Sequence, residues 1–101
     1  MSEQAPTKDL VSPLVQWVKS SPDITRWYLR ETLKVDTSEL IWARMQVAGV
    51  SKADLAKRLA CSKAHVTQLL NGSRNMTLQT LQDIAIALGC RADVKFVEIP
   101  K

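Results

Sequence analysis

The sequence is poor in the residues from which most catalytic and metal centres are built. Its 101 residues include one histidine, His65, and two cysteines, Cys61 and Cys90. Zinc sites combine several such ligands, and the two cysteines form no C-x-x-C pair. The three glycines are too scattered to form a phosphate-binding loop. We therefore expect a protein that is not an enzyme and that uses no metal and no cofactor.

Long apolar runs and export signals are also missing. No segment approaches the roughly 18 apolar residues of a membrane span. The first ten residues carry Glu3 and Asp9 and lack an apolar stretch behind a basic leader. Two cysteines so far apart in the chain favour free thiols in a reducing compartment over a disulfide scaffold. These features predict a cytoplasmic protein with no membrane partner.

The positive charge is concentrated in the middle of the chain. The net charge is +4, yet residues 40–82 hold six basic side chains against Asp54 alone. Residues 1–39 have a small acidic excess, and residues 83–101 are balanced. A local positive excess is the electrostatic footprint of a protein that binds a polyanion. A solvated basic face would give the same pattern, so charge alone leaves both interpretations open.

Capping residues followed by apolar residues at helical spacing predict five or six helices. The helix that starts at Ser21 and Pro22 is expected to end near Leu33, and a separate helix is expected from Asp36 to Gly49. Gly89 is expected to end the last helix. The predicted caps are Ser12, Ser21, Asp36, Ser51, Ser62 and Thr77.

The chain changes period after the last helix. Residues 93–99 are rich in β-forming side chains in rough alternation, which predicts one C-terminal strand within residues 90–101. A lone strand leaves its backbone hydrogen bonds unmade, and pairing with a second copy would satisfy them by two-fold symmetry. We therefore expect a homodimer that uses Val94, Phe96 and Val97, with Val94 and Phe96 covering the helical core.

Two short helices joined by a tight turn inside the basic window describe a helix-turn-helix. Val66 and Leu69 are expected to face inward on the second helix, which leaves the opposite face free. A lysine pairs with guanine acceptors, a glutamine with adenine, and an alanine or threonine with the thymine methyl group, so this face suits a major groove. Its residues are Lys63, Ala64, His65, Thr67, Gln68 and Asn71.

Residues 40–88 resemble the Cro- and phage-repressor-like helix-turn-helix family, often called XRE regulators. The elements that match in register are Gly49, Val50, Ser51, Asp54, Leu55, Ala56, Leu59, Ser62, Val66, Leu69, Asn71, Gly72, Thr77, Leu78, Leu81, Ile84, Ala85, Leu88 and Gly89. The sequence departs from the family pattern at Ala60, where a turn glycine is usual, and at Met76, where proline is common. Ala60 implies a turn reached without a freely allowed positive φ.

The resemblance implies roles for individual residues. Base contacts fall on four of them: Lys63, Ala64, Thr67 and Gln68. Phosphate contacts fall on Lys52, Ser62 and Asn71. Beyond the family pattern, we expect Arg74 at a phosphate or in the minor groove. We place His65 beside the DNA backbone, with a base edge or plain solvent exposure as alternatives.

We therefore predict an all-α, lambda-repressor-like fold of five to six helices with one C-terminal strand. Residues 1–36 would form an N-terminal helical extension, residues 37–89 the DNA-binding part and residues 90–101 the dimerisation strand, all in one compact domain. The predicted function is sequence-specific binding of double-stranded DNA by a homodimeric transcription repressor.

Two other functions remain open. One is an antitoxin that neutralises a partner toxin and represses its own operon, with residues 1–39 as the toxin-binding part. The other is an appended domain of an enzyme subunit. The aromatic residues are expected in the core, with a partner surface as the alternative. They are Trp17, Trp27, Tyr28 and Trp42.

Overall fold

The computed structural model describes residues 21–72 and 74–99. These ranges hold four α-helices: α1 (Pro22–Ala48), α2 (Lys52–Leu59), α3 (Lys63–Leu69) and α4 (Leu78–Ala87). The chain divides into two compact units between Leu33 and Lys34. The helix predicted at Ser12 lies outside the described residues, and the predicted boundary between residues 36 and 37 stays a prediction.

Helix α1 replaces two predicted helices, so that prediction was wrong. It begins at Pro22 as expected, but it continues through Leu33 and Asp36 to Ala48. Asp36 lies in the helix interior and caps nothing, because no glycine or proline interrupts the chain between Pro22 and Gly49. A capping residue therefore marks a helix start only where the preceding backbone has left the helix.

Residues 21–33, the described part of the first unit, expose apolar side chains. Trp27 is 56% exposed and Leu33 is 67% exposed, whereas Tyr28 is half-buried. The core position expected for Trp27 is therefore wrong. Trp17 lies outside the described residues.

The second unit contains the hydrophobic core. Met45, Leu55, Val66 and Ile84 are almost completely buried, one from each helix. Burial of each such side chain contributes about 1.5–3 kcal/mol to folding. The inward side predicted for α3 is confirmed, because Val66 lies in this core and Leu69 packs against it.

The strand predicted after α4 is absent from the described residues, so this prediction was also wrong. Gly89, at φ +77°, ends the helix, and the Cys90 amide donates to the Ala85 carbonyl at 2.8 Å. The Ala92 amide then donates to the Gln82 side-chain oxygen at 2.9 Å. Residues 90–99 contain no strand, because a strand needs a backbone partner and residues 21–72 and 74–99 provide none.

The side chains of this segment do not cover the core as predicted. Phe96 is 100% exposed, and Val94 and Val97 are more than half exposed. Residues 93–99 therefore form an exposed segment with an apolar character, which we call the C-terminal segment.

None of the described helices combines the length and the hydropathy that crossing a membrane requires.

Candidate nucleic-acid interface

The N-terminus of α2 is closed by the predicted capping box. The Asp54 amide donates to the Ser51 hydroxyl at 3.1 Å, and the Ser51 amide donates to the Asp54 carboxylate at 3.1 Å. The bond from the Ser51 amide to the carboxylate is the largest cause that lowers the pKa of Asp54, and an interaction with the Ser51 side chain is the next. Two amide groups that a helix start leaves without partners are thereby satisfied.

The turn between α2 and α3 depends on an alanine in the left-handed region. Ala60 has φ +56° and ψ +46°, and it is the only non-glycine residue with positive φ in the described part of the chain. Its amide donates to the Lys57 carbonyl at 3.1 Å, and the Cys61 amide donates to the Ala56 carbonyl at 2.9 Å. The left-handed conformation costs roughly 1–2 kcal/mol for a residue with a Cβ. The turn therefore keeps the geometry that glycine would adopt without this strain.

Helix α3 is held against the core by one side and leaves the other open. Its N-cap Ser62 accepts a hydrogen bond from the His65 amide at 3.0 Å, and Val66 is completely buried. The residues predicted to contact bases are all exposed and lie three or four positions apart along one side of the helix. We call them the recognition face: Lys63, Ala64, Thr67 and Gln68.

The recognition face has a partner in the following loop. Arg74 Nη1 donates to the Gln68 side-chain oxygen at 2.6 Å. A short hydrogen bond from a charged donor is about twice as strong as a neutral one. Sequence reasoning placed these two residues in separate roles, because neither helical spacing nor a known turn links positions six residues apart.

Of the five residues predicted to contact the DNA backbone, four are exposed and Lys52 is partly buried. Lys52 lies with its ammonium 5.2 Å from the centroid of the Trp42 ring, within cation–π range. The Ser62 oxygen is occupied as the N-cap, but its hydroxyl proton can still be donated to a phosphate. His65, Asn71 and Arg74 are exposed.

One basic residue of the middle window has a structural role that the sequence did not reveal. Arg58 Nη1 donates to the Ala87 carbonyl at 2.7 Å. That carbonyl lies in the last turn of α4, where a cation also interacts favourably with the helix dipole. Arg58 therefore joins α2 to α4.

These elements together define a helix-turn-helix DNA-binding domain. A short helix presents an exposed polar face, a buried valine anchors it, and a three-residue turn joins it to the preceding helix. Residues 40–93 match the model of the Cro/C1-type HTH DNA-binding domain. Because this match spans more than half of the sequence, the chain belongs to that family. It is a DNA-binding regulator, and double-stranded DNA is its partner.

No curated protein and no solved structure matched the chain.

Proposed function

We propose that the chain is a sequence-specific transcription repressor that binds its operator as a homodimer. The observation that carries this proposal is the exposed recognition face on α3, with Val66 buried behind it. A helix with one anchored side and one polar side can enter a major groove without losing its own packing. Occupancy of the operator would then exclude RNA polymerase.

The proposed contacts divide into two groups. Lys63, Ala64, Thr67 and Gln68 contact base edges, since only side chains on the free face of α3 reach into the groove. The second group contacts phosphates and fixes the register of the protein on the duplex. Its members are Lys52, Ser62, His65, Asn71 and Arg74.

The C-terminal segment supports the homodimer. Phe96 is fully exposed, and Val94 and Val97 expose 66% and 75% of their surfaces. Apolar side chains gathered on one exposed segment are typical of a protein-binding surface. We propose that a second copy covers them. Two recognition helices would then meet half-sites about 34 Å apart, as the repeat of the duplex requires.

Selection of bound sequences from a random duplex pool tests the proposal. We expect one enriched half-site, repeated with two-fold symmetry. A plot of log affinity against log salt concentration should be linear, with a slope of about −0.9 for each phosphate that the protein neutralises. A wild-type protein that binds no duplex at low salt would overturn the proposal.

A matched pair of glutamine substitutions locates the reading surface. Gln68→Ala should cost about 1–3 kcal/mol on the selected operator and relax the preference at one base position. Gln79, exposed on α4, provides the control, and Gln79→Ala should leave affinity and preference unchanged. Equal effects of the two substitutions in an anisotropy titration would show that α3 is not the reading helix.

The first unit favours a second candidate function, an antitoxin. Trp27 is 56% exposed within residues 21–33, and a large exposed aromatic side chain is a frequent anchor in protein interfaces. The test is co-purification with the product of a neighbouring gene, compared between wild type and Trp27→Ala. Loss of the partner with intact DNA binding would support this candidate, and an unchanged yield would contradict it.

A further inference from the structure

We propose that Arg74 determines which base Gln68 selects, and that the pair prefers guanine over adenine. The inference rests on the proposed function, because it concerns the base-reading role of α3. It starts from the hydrogen bond of 2.6 Å between Arg74 Nη1 and the Gln68 side-chain oxygen. Both side chains are exposed, and Gln68 belongs to the recognition face that is proposed to meet DNA.

The chemistry of the two groups fixes the orientation of the amide. A guanidinium group has five N–H donors and no acceptor. The Gln68 atom that faces it must therefore be the oxygen, and the amide nitrogen points away. An isolated glutamine could rotate its amide and present either end to a base, whereas the guanidinium of Arg74 favours one of the two arrangements.

This orientation changes the base that Gln68 matches. Paired recognition of adenine uses the glutamine oxygen to accept from N6 and the glutamine nitrogen to donate to N7. In this chain the oxygen already accepts a charged donor, and the nearby positive charge opposes the approach of the adenine amino group. Guanine presents only acceptors, N7 and O6, on its major-groove edge. The free N–H groups of Gln68 therefore fit guanine.

The same arginine can still contribute to affinity. Only one of its five donors is used in the bond to Gln68, and the others can reach a phosphate. Loss of Arg74 should therefore have two separable effects. One is a weaker interaction with every sequence, and the other is a changed preference at the position that Gln68 reads.

The experiment measures binding to the selected operator with all four base pairs placed at each position in turn. The proteins are wild type, Gln68→Ala, Arg74→Ala and the double variant, with Arg44→Ala as a control that removes one exposed arginine of α1. Gln68→Ala identifies the position that it reads by flattening the preference there. We expect wild type to prefer guanine at that position by about fivefold to a hundredfold.

Arg74→Ala should move the preference at this position from guanine towards adenine, whereas Arg44→Ala should leave it unchanged. The double variant should show the same flat profile as Gln68→Ala. Arg74→Met, which keeps the length of the side chain without its donors, repeats the test if the alanine variant melts differently.

The inference is overturned if Arg74→Ala weakens all four base pairs at that position by one factor, if Gln68→Ala flattens no position, or if wild type prefers adenine there. These results differ from the failure of the proposed function, in which wild type itself binds no duplex.

Discussion

Helix α3 and the C-terminal segment both present exposed side chains, but of opposite chemistry. The exposed face of α3 is largely polar and lies over the completely buried Val66. The C-terminal segment exposes Val94, Phe96 and Val97. It follows Ala92, whose amide donates a hydrogen bond to the Gln82 side chain. A polar surface on a packed helix suits hydrated DNA, whereas exposed apolar side chains suit a protein partner. The difference supports the proposed DNA reading by α3 and the proposed self-association through the C-terminal segment.

The largest expected effect comes from a charge placed in the C-terminal segment. Phe96→Asp should abolish the proposed dimer, because a carboxylate cannot be buried there without a partner. Since linked half-site binders gain about 10²–10⁴ in avidity, operator affinity should fall by a similar factor. Sedimentation and anisotropy measure the two quantities, and Lys95→Ala is the neighbouring control. A Phe96→Asp protein that still sediments as a dimer would place the interface elsewhere.

The stability of the helix-turn-helix should instead depend on its buried side chains. Leu55→Ala should lower the free energy of unfolding by about 2–5 kcal/mol, because Leu55 is completely buried and its truncation leaves a cavity. Leu78, which is 75% exposed, provides the same substitution on the surface. Leu78→Ala should change the stability by far less in a denaturant titration. Similar losses from both variants would contradict the described core.

A substitution in the turn before α3 should make the protein more stable. Ala60→Gly should raise the free energy of unfolding by about 1 kcal/mol, because glycine adopts the left-handed conformation of Ala60 without a steric cost. Part of the gain is offset by the greater freedom of glycine in the unfolded chain. Ala43→Gly, in the interior of α1, should lower stability. A loss of stability from Ala60→Gly would argue against the described turn.

The smallest expected effect is a dependence on pH at the start of α2. The pKa of Asp54 is lowered in the folded state by its hydrogen bonds with Ser51. The stabilising contribution of this carboxylate is therefore complete above its unfolded pKa, and it is lost as the pH falls through the folded pKa. Asp54→Asn should flatten the loss of stability at acid pH. Thermal melting from pH 6 downwards, with Asp93→Asn as control, measures the difference.

The predicted helix caps show which structural features can be predicted from a few neighbouring residues. Ser51, Ser62 and Thr77 all cap helices as predicted, because a cap involves residues only a few positions apart. Asp36 has the same chemistry but lies inside α1, since the backbone before it is already helical. The prediction of a C-terminal strand was wrong for a related reason. Alternation describes the side chains of a strand, but it does not reveal the second strand with which the backbone must pair.

The helix-turn-helix, its caps, its buried side and the exposure of the residues of the recognition face could all be predicted from the order of the amino acids. Each of these depends on spacing within one helix or on a turn of a few residues, and such spacing is visible in the order of the amino acids. The folded structure was needed to show that Arg74 binds the side chain of Gln68, that Arg58 binds the Ala87 carbonyl and that Phe96 is exposed. These features depend on how separate elements pack in space, and no local period encodes the distance between two such elements.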